Sequence, residues 1–103
     1  MARIELSFYD NKYTIEYNRA SIREFLSLKN VDNEIDQVVA LIKCGLQMHH
    51  EDDMPSDEMI VSWVLALGDD VKPFAEALTS LVQDVLEALK ADRKNLKWGK
   101  VEA

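Results

Sequence analysis

Residues 3–9 and 12–17 alternate between apolar and polar side chains, with the period of two that is typical of half-buried strands. The apolar positions form two sets, Ile4, Leu6 and Phe8 and then Tyr13, Ile15 and Tyr17. Between the sets, Asp10 and Asn11 tolerate the positive φ that a tight hairpin turn requires. The pattern predicts an antiparallel hairpin. Its apolar face must pack on helices, because two strands alone are only marginally stable.

After the hairpin, the apolar positions recur three and four residues apart, which is the period of amphipathic helices. A short helix should end near Leu28, with a capping box over residues 21–24 or, alternatively, Asn18 as its cap. A second helix should run roughly from Asp32 to His49. It carries two apolar rows, which predicts that it is surrounded and forms the central element.

Gly45 interrupts this second helix near its C-terminal end. A glycine inside a helix costs about 1 kcal/mol relative to alanine. We therefore expect a compensating benefit, namely close approach by a neighbouring helix or by the hairpin.

Two further helices complete the pattern. A third should begin after Pro55, with Ser56 or Asp57 as its cap, and stop at Gly68, since glycine is favoured at helix C-termini. A fourth begins at residues 69–70 and carries an apolar seam along its length. The predicted fold is α+β and mostly helical, an N-terminal antiparallel β-hairpin packed on a bundle of about four helices. Residues 1–92 form a single globular domain, and residues 93–103 form a basic, loosely ordered tail.

The charge is unevenly distributed along the chain. The net charge is −7, but residues 30–92 hold 14 acidic and 3 basic side chains, whereas residues 93–103 hold 4 basic and 1 acidic side chain. Nucleic-acid binding requires clustered Lys and Arg that neutralise phosphates, so nucleic acid is not an expected partner. The acidic surface serves solubility or, alternatively, selects a basic partner.

The candidate chemical groups do not predict an enzyme. His49 and His50, followed by the acidic residues 51–53, form the one cluster with metal-ligand chemistry. Adjacent side chains rarely converge on one ion, so a structural role near the negative end of the helix is preferred, and no metal or cofactor is expected. Cys44 lies in an apolar helix and is interpreted as a small buried hydrophobe rather than a nucleophile. No apolar run approaches the roughly 20 residues that cross a bilayer, which predicts a soluble intracellular protein without membrane contact.

Three stretches carry a resemblance to a known family. They are the hairpin strand Asn-Lys-Tyr-Thr-Ile-Glu-Tyr-Asn (residues 11–18), the helix end Leu-Ile-Lys-Cys-Gly-Leu-Gln-Met-His-His (41–50) and the restart Pro-Ser-Asp-Glu (55–58). Together they resemble the tail assembly chaperones of long-tailed, siphovirus-type bacteriophages and prophages, closest to those of Gram-positive hosts. The chain departs from that pattern at Asn11, where glycine is more usual, and in its heavier acidic run at residues 51–53.

The resemblance implies a non-enzymatic protein that acts during virion assembly. Such a chaperone works in the host bacterial cytoplasm and is absent from the mature virion. It binds the tape measure protein, keeps that long helical chain soluble and promotes assembly of the tail tube protein. Two alternatives stay open: a small helical adaptor or regulatory protein that binds a host partner, or a structural tail component that remains in the virion.

The fourth helix holds the candidate partner-binding face. Its apolar seam includes Leu78, Val82, Leu86 and Leu89, and Trp98 follows in the basic tail. If the small domain does not cover this seam completely, the uncovered part can dock an amphipathic helix. The alternative is that these side chains are internal core. Homo-oligomerisation is left open.

Overall fold

The computed structural model describes residues 3–27 and 33–101. The elements follow in the order β1 (Ile4–Phe8), β2 (Asn11–Ile15), α1 (Arg19–Ser27), α2 (Glu34–His50), α3 (Asp57–Leu67) and α4 (Val71–Lys90). Short 3-10 turns at Gly68–Asp70 and Ala91–Asn95 precede and follow α4. The fold is α+β and mostly helical with an N-terminal antiparallel hairpin, which confirms the predicted class. The predicted helix boundaries at Leu28 and Asp32 lie outside the described residues, as do residues 102–103 of the predicted tail.

The hairpin turn lies one residue earlier than predicted. Phe8 pairs with Asn11, so the turn consists of Tyr9 and Asp10. Tyr9 takes the positive φ of 56°, and its ring packs edge-on against Phe8 with ring centroids 4.7 Å apart. The observed and predicted registers differ by two residues, a shift that keeps every side chain on the same face. Apolar alternation therefore cannot distinguish them.

Local capping sets the helix ends. Asn18 Oδ1 accepts a hydrogen bond from the Ser21 backbone N–H at 2.8 Å, so Asn18 caps α1 and the predicted capping box over residues 21–24 is wrong. Ser56 Oγ accepts one from the Met59 N–H at 3.1 Å, which starts α3. Helix α3 ends at Gly68, as predicted, and Gly68 has a φ of 56° that L-residues rarely adopt.

Helix α2 is the central element, as its two apolar rows predicted. It contacts β2, α1, α3 and α4. Its buried side chains face those of the hairpin and of the two later helices, and the resulting core comprises Ile15, Tyr17, Val38, Ile42, Cys44, Leu46, Ile60, Trp63, Val64, Leu78 and Leu81.

The molecule is elongated. Its principal dimensions are 60 × 29 × 27 Å and its radius of gyration is 16.1 Å, against about 13 Å for a compact domain of this length. Every residue from Ala91 to Val101 is exposed. None of the helices in the described part of the chain combines the length and the apolarity needed to span a membrane.

Candidate partner-binding surface

Residues 14–17 and the C-terminal half of α2 hold the hairpin on that helix. The backbone N–H of Glu16 donates to the carbonyl oxygen of Gly45 at 2.9 Å. The hydroxyl of Tyr17, fully buried, donates to the carbonyl oxygen of Leu41 at 2.6 Å. Burial, assisted by Cys44 nearby, raises the pKa of Tyr17 and keeps this hydroxyl protonated as a donor.

Gly45 lies at the closest approach between α2 and the hairpin, which confirms the prediction of close packing. A Cβ atom added at this position would come within 2.9 Å of Tyr17 Cζ and closer still to Cγ2 of Ile15. The sequence left open whether a neighbouring helix or the hairpin approaches Gly45. The hairpin is the element whose close approach requires glycine.

The two histidines contact different groups. His49 Nε2 lies 3.1 Å from Glu16 Oε1. His50 Nε2 accepts a hydrogen bond from the backbone N–H of Thr14 at 2.9 Å, and its Nδ1 lies 3.1 Å from Asp53 Oδ1. This pattern is satisfied by a neutral His50 ring that carries its proton on Nδ1. Both rings therefore hold the chain around the end of β2 against the C-terminal end of α2. This role adds to the interaction with the helix dipole that the sequence predicts.

These contacts give the histidine pair a structural use. Over residues 3–27 and 33–101, no group of three or more His, Cys, Asp or Glu side chains is arranged to hold a metal ion. Cys44 is buried in the core, as predicted, and burial together with nearby Glu24 raises the pKa of Cys44 to about 11 against the lowering effect of Lys43. At neutral pH this thiol is protonated and shielded from reagents.

The predicted partner face on α4 divides into a covered part and an uncovered part. Leu78 is 0% exposed, so including it in a partner-binding face was wrong: the seam at this point is core. Val82 is half-buried and packs against the core cluster. Leu86 and Leu89 are also half-buried, but they lie outside that cluster as the described residues define it.

The chain beyond the core forms what we call the distal arm, residues 86–101. After Leu86 and Leu89, the arm presents Leu96 and Trp98, which are 72% and 87% exposed, and Val101 beyond them. At the root of the arm, Asp92 Oδ2 lies 3.6 Å from Nη2 of Arg19 on α1. Both partners of that ion pair are exposed, so it fastens the arm only weakly. The predicted Trp98 thus lies on an accessible apolar surface.

A second surface feature was not predicted. The start of α2 and the start of α4 enclose an open groove of about 670 Å³, which we call the α2–α4 groove. Its lining includes Ile35, Val71 and Ala75 as apolar members and Glu34, Asp69 and Glu76 as acidic members. The sequence shows an excess of acidic residues over this region, but no local pattern indicates that residues 34–35 and 69–79 meet.

No protein-family model matches the chain, and neither a curated protein nor a solved structure matches it.

Proposed function

We propose that this protein is a non-enzymatic tail assembly chaperone of a long-tailed bacteriophage or prophage, and that its distal arm binds helical segments of the tape measure protein. The observation that carries the proposal is the run of exposed apolar side chains, Leu96, Trp98 and Val101, at the C-terminal end of the described residues. Large exposed apolar side chains grouped in one segment are typical of partner-binding sites.

The expected strength of binding suits a chaperone that must release its client. Burying one large apolar side chain contributes about 1.5–3 kcal/mol, so three such side chains supply roughly 5–9 kcal/mol before the cost of association. The remainder corresponds to a weak, reversible complex for a single arm. Several chaperones along one long tape measure chain would together cover its apolar helix faces and prevent its aggregation.

The distal arm also fits its client by shape. A helix with one apolar face offers a stripe of side chains at i, i+3, i+4 and i+7, which needs an elongated rather than a cup-shaped partner. Leu86 and Leu89 are three residues apart on α4 and extend the exposed apolar residues of the arm back along the helix. On this proposal the chaperone acts in the host bacterial cytoplasm, promotes assembly of the tail tube protein there, and does not remain in the mature virion.

The direct test is co-expression with the tape measure protein of the same genome, followed by affinity capture. Wild-type protein should keep the tape measure chain in the soluble fraction and retain it on the resin. A Leu96→Asp/Trp98→Asp double variant should lose most of this capture, because two charges would enter the apolar contact.

The matched control is Ser80→Asp/Gln83→Asp, which introduces the same two aspartates at exposed positions of α4 outside the arm. This control should capture the client as the wild type does. Undiminished capture by a folded Leu96→Asp/Trp98→Asp protein would reject the distal arm as the binding surface, and failure of the wild type to capture or solubilise the client would reject the function.

Protein analysis of purified virions distinguishes the chaperone from a structural tail component, since the chaperone should be missing from them. The position of the gene distinguishes the chaperone from an adaptor that binds a host partner. A chaperone gene is expected between those of the major tail protein and the tape measure protein, whereas an adaptor for a host partner has no reason to lie there.

A further inference from the structure

The α2–α4 groove is lined by both apolar and acidic side chains, and we call its acidic members the acidic rim. Ile35 in the lining is 38% exposed although it is a large apolar side chain, and Val71 and Ala75 are the other apolar members. Glu34, Asp69 and Glu76 supply three acidic groups to the lining, and Lys72 supplies the one basic group among the residues that line it. Such a groove is complementary to a segment that is both basic and apolar.

The distal arm contains a segment of that kind. Between residues 93 and 98 it carries the basic side chains Arg93, Lys94 and Lys97 and the apolar side chains Leu96 and Trp98, all of them exposed. The arm and the groove are thus oppositely charged, and each has apolar surface that no other part of the described chain covers.

The arm cannot reach the groove of its own chain while α4 and the 3-10 turn after it are intact. From Ala75 to Ala91 the helix rises about 1.5 Å per residue, which separates the groove from the end of α4 by about 24 Å. Trp98 follows the 3-10 turn that ends at Asn95 by only three residues, a span of at most about 10 Å. With these elements formed, an arm that fills the groove must therefore come from another molecule.

We propose that the α2–α4 groove binds the distal arm of a second copy of this chain. Leu96 and Trp98 of one copy contact Ile35, Val71 and Ala75 of the next. The lysines and arginine of the arm face the acidic rim. The contact is head-to-tail, so it leaves one free groove and one free arm on each pair and extends to larger assemblies unless a ring closes. This inference shares the distal arm with the proposed function, so a second copy and the client would compete for the arm, and only variants of the groove separate the two proposals.

Self-association is measured on the full chain by sedimentation velocity from about 10 µM to about 500 µM, where mass action favours assembly. The average mass should rise with concentration, and the rise should shrink from about 50 mM to about 500 mM NaCl because exposed charges are screened. The emission of exposed Trp98 should shift to shorter wavelength as the arm docks, while Trp63 is buried in the monomer already.

A charge exchange tests the pairing. Glu76→Lys in the groove and Lys97→Glu in the arm should each weaken self-association about tenfold, a typical effect of placing like charges at a contact. An equimolar mixture of the two variants should associate again, because each groove then meets an arm of opposite charge. Asp84→Lys, which makes the same change of charge at an exposed position of α4 outside both the groove and the arm, is the matched control and should behave as the wild type.

Circular dichroism should show the same helix content in all variants, since the changed side chains are exposed. A wild-type chain that stays monomeric over the whole concentration range would overturn the proposal. So would association that Glu76→Lys leaves unchanged, or a mixture that fails to recover. Loss of tape measure capture in Glu76→Lys without a change in self-association would assign the groove to the client instead. Loss of client capture in the arm variants alone bears on the proposed function and not on this inference.

Discussion

Replacing Gly45 by alanine should destabilise the protein, although alanine is the better helix former. The substitution places a methyl group where α2 meets the hairpin. That methyl carbon would lie 2.9 Å from Tyr17 Cζ and 3.1 Å from the Tyr17 hydroxyl oxygen, with Cγ2 of Ile15 closer still. Both neighbouring side chains are fully buried, so neither can move aside without disturbing the core.

The expected change in the free energy of unfolding is the difference between a gain in helix propensity and the cost of an extra methyl group in the core. Alanine improves the helix by about 1 kcal/mol. Forcing an extra methyl group into a packed core costs about 2 kcal/mol, which gives a net loss of about 1 kcal/mol if the neighbouring hydrogen bonds survive. If the strand moves away and the bonds from Glu16 to Gly45 and from Tyr17 to Leu41 both break, about 1 kcal/mol is lost for each and the total approaches 3 kcal/mol.

Urea denaturation followed by circular dichroism measures this difference, provided that the dependence of the free energy of unfolding on urea concentration stays unchanged. Gly99→Ala is the control, because a Cβ there would meet no atom within 4 Å. It should leave the free energy of unfolding within about 0.5 kcal/mol of the wild type. A Gly45→Ala protein as stable as the wild type, or more stable, would refute the close packing of α2 on the hairpin.

Three further outcomes are expected. Gly68→Ala should destabilise by about 1–2 kcal/mol, because the φ of 56° at the end of α3 is unfavourable for alanine; unchanged stability would contradict this. Tyr17→Phe should cost about 1 kcal/mol in urea denaturation by removing the donor to Leu41, and no loss would mean that this hydrogen bond contributes nothing. Burial raises the pKa of Cys44 from 9.0 to about 11, so the unfolded thiol loses its proton first. Its stabilising contribution should be complete below about pH 9 and decline by roughly 2 kcal/mol towards pH 11. Cys44→Ala should show a smaller alkaline loss, and an equal loss in both proteins would exclude the thiol as its source.

Local patterns predicted the elements because each pattern expresses a local physical requirement. Alternation predicted the faces of the hairpin, and Pro55, Ser56 and Gly68 marked the boundaries of α3 through capping and positive φ. The helical cost of Gly45 predicted a close neighbour, and the hairpin occupies that place. In each case the residues on which the prediction rests lie within a few positions of one another in the sequence.

The errors arose where distant parts of the chain decide the outcome. Periodicity placed Leu78 and Leu86 in one seam, but only the packing of α2 and α3 determines that Leu78 is core. His50 was assigned to its own helix end because its hydrogen bond to Thr14 joins residues 36 apart in the chain. The sequence did not predict the α2–α4 groove for the same reason, because the groove forms between the N-terminal ends of two helices that become neighbours only after folding.

The contacts that hold the hairpin on α2 also have a consequence for sequence divergence among proteins with this fold. Leu41, Gly45, His49 and His50 make their contacts inside the molecule, about half the chain length before Trp98. Natural variation in that motif would destabilise the fold, whereas variation after Leu86 would leave the packed core intact. Proteins that share the motif are therefore expected to share an architecture while their C-terminal residues differ, and under the proposed function those differences would change the partner that is bound.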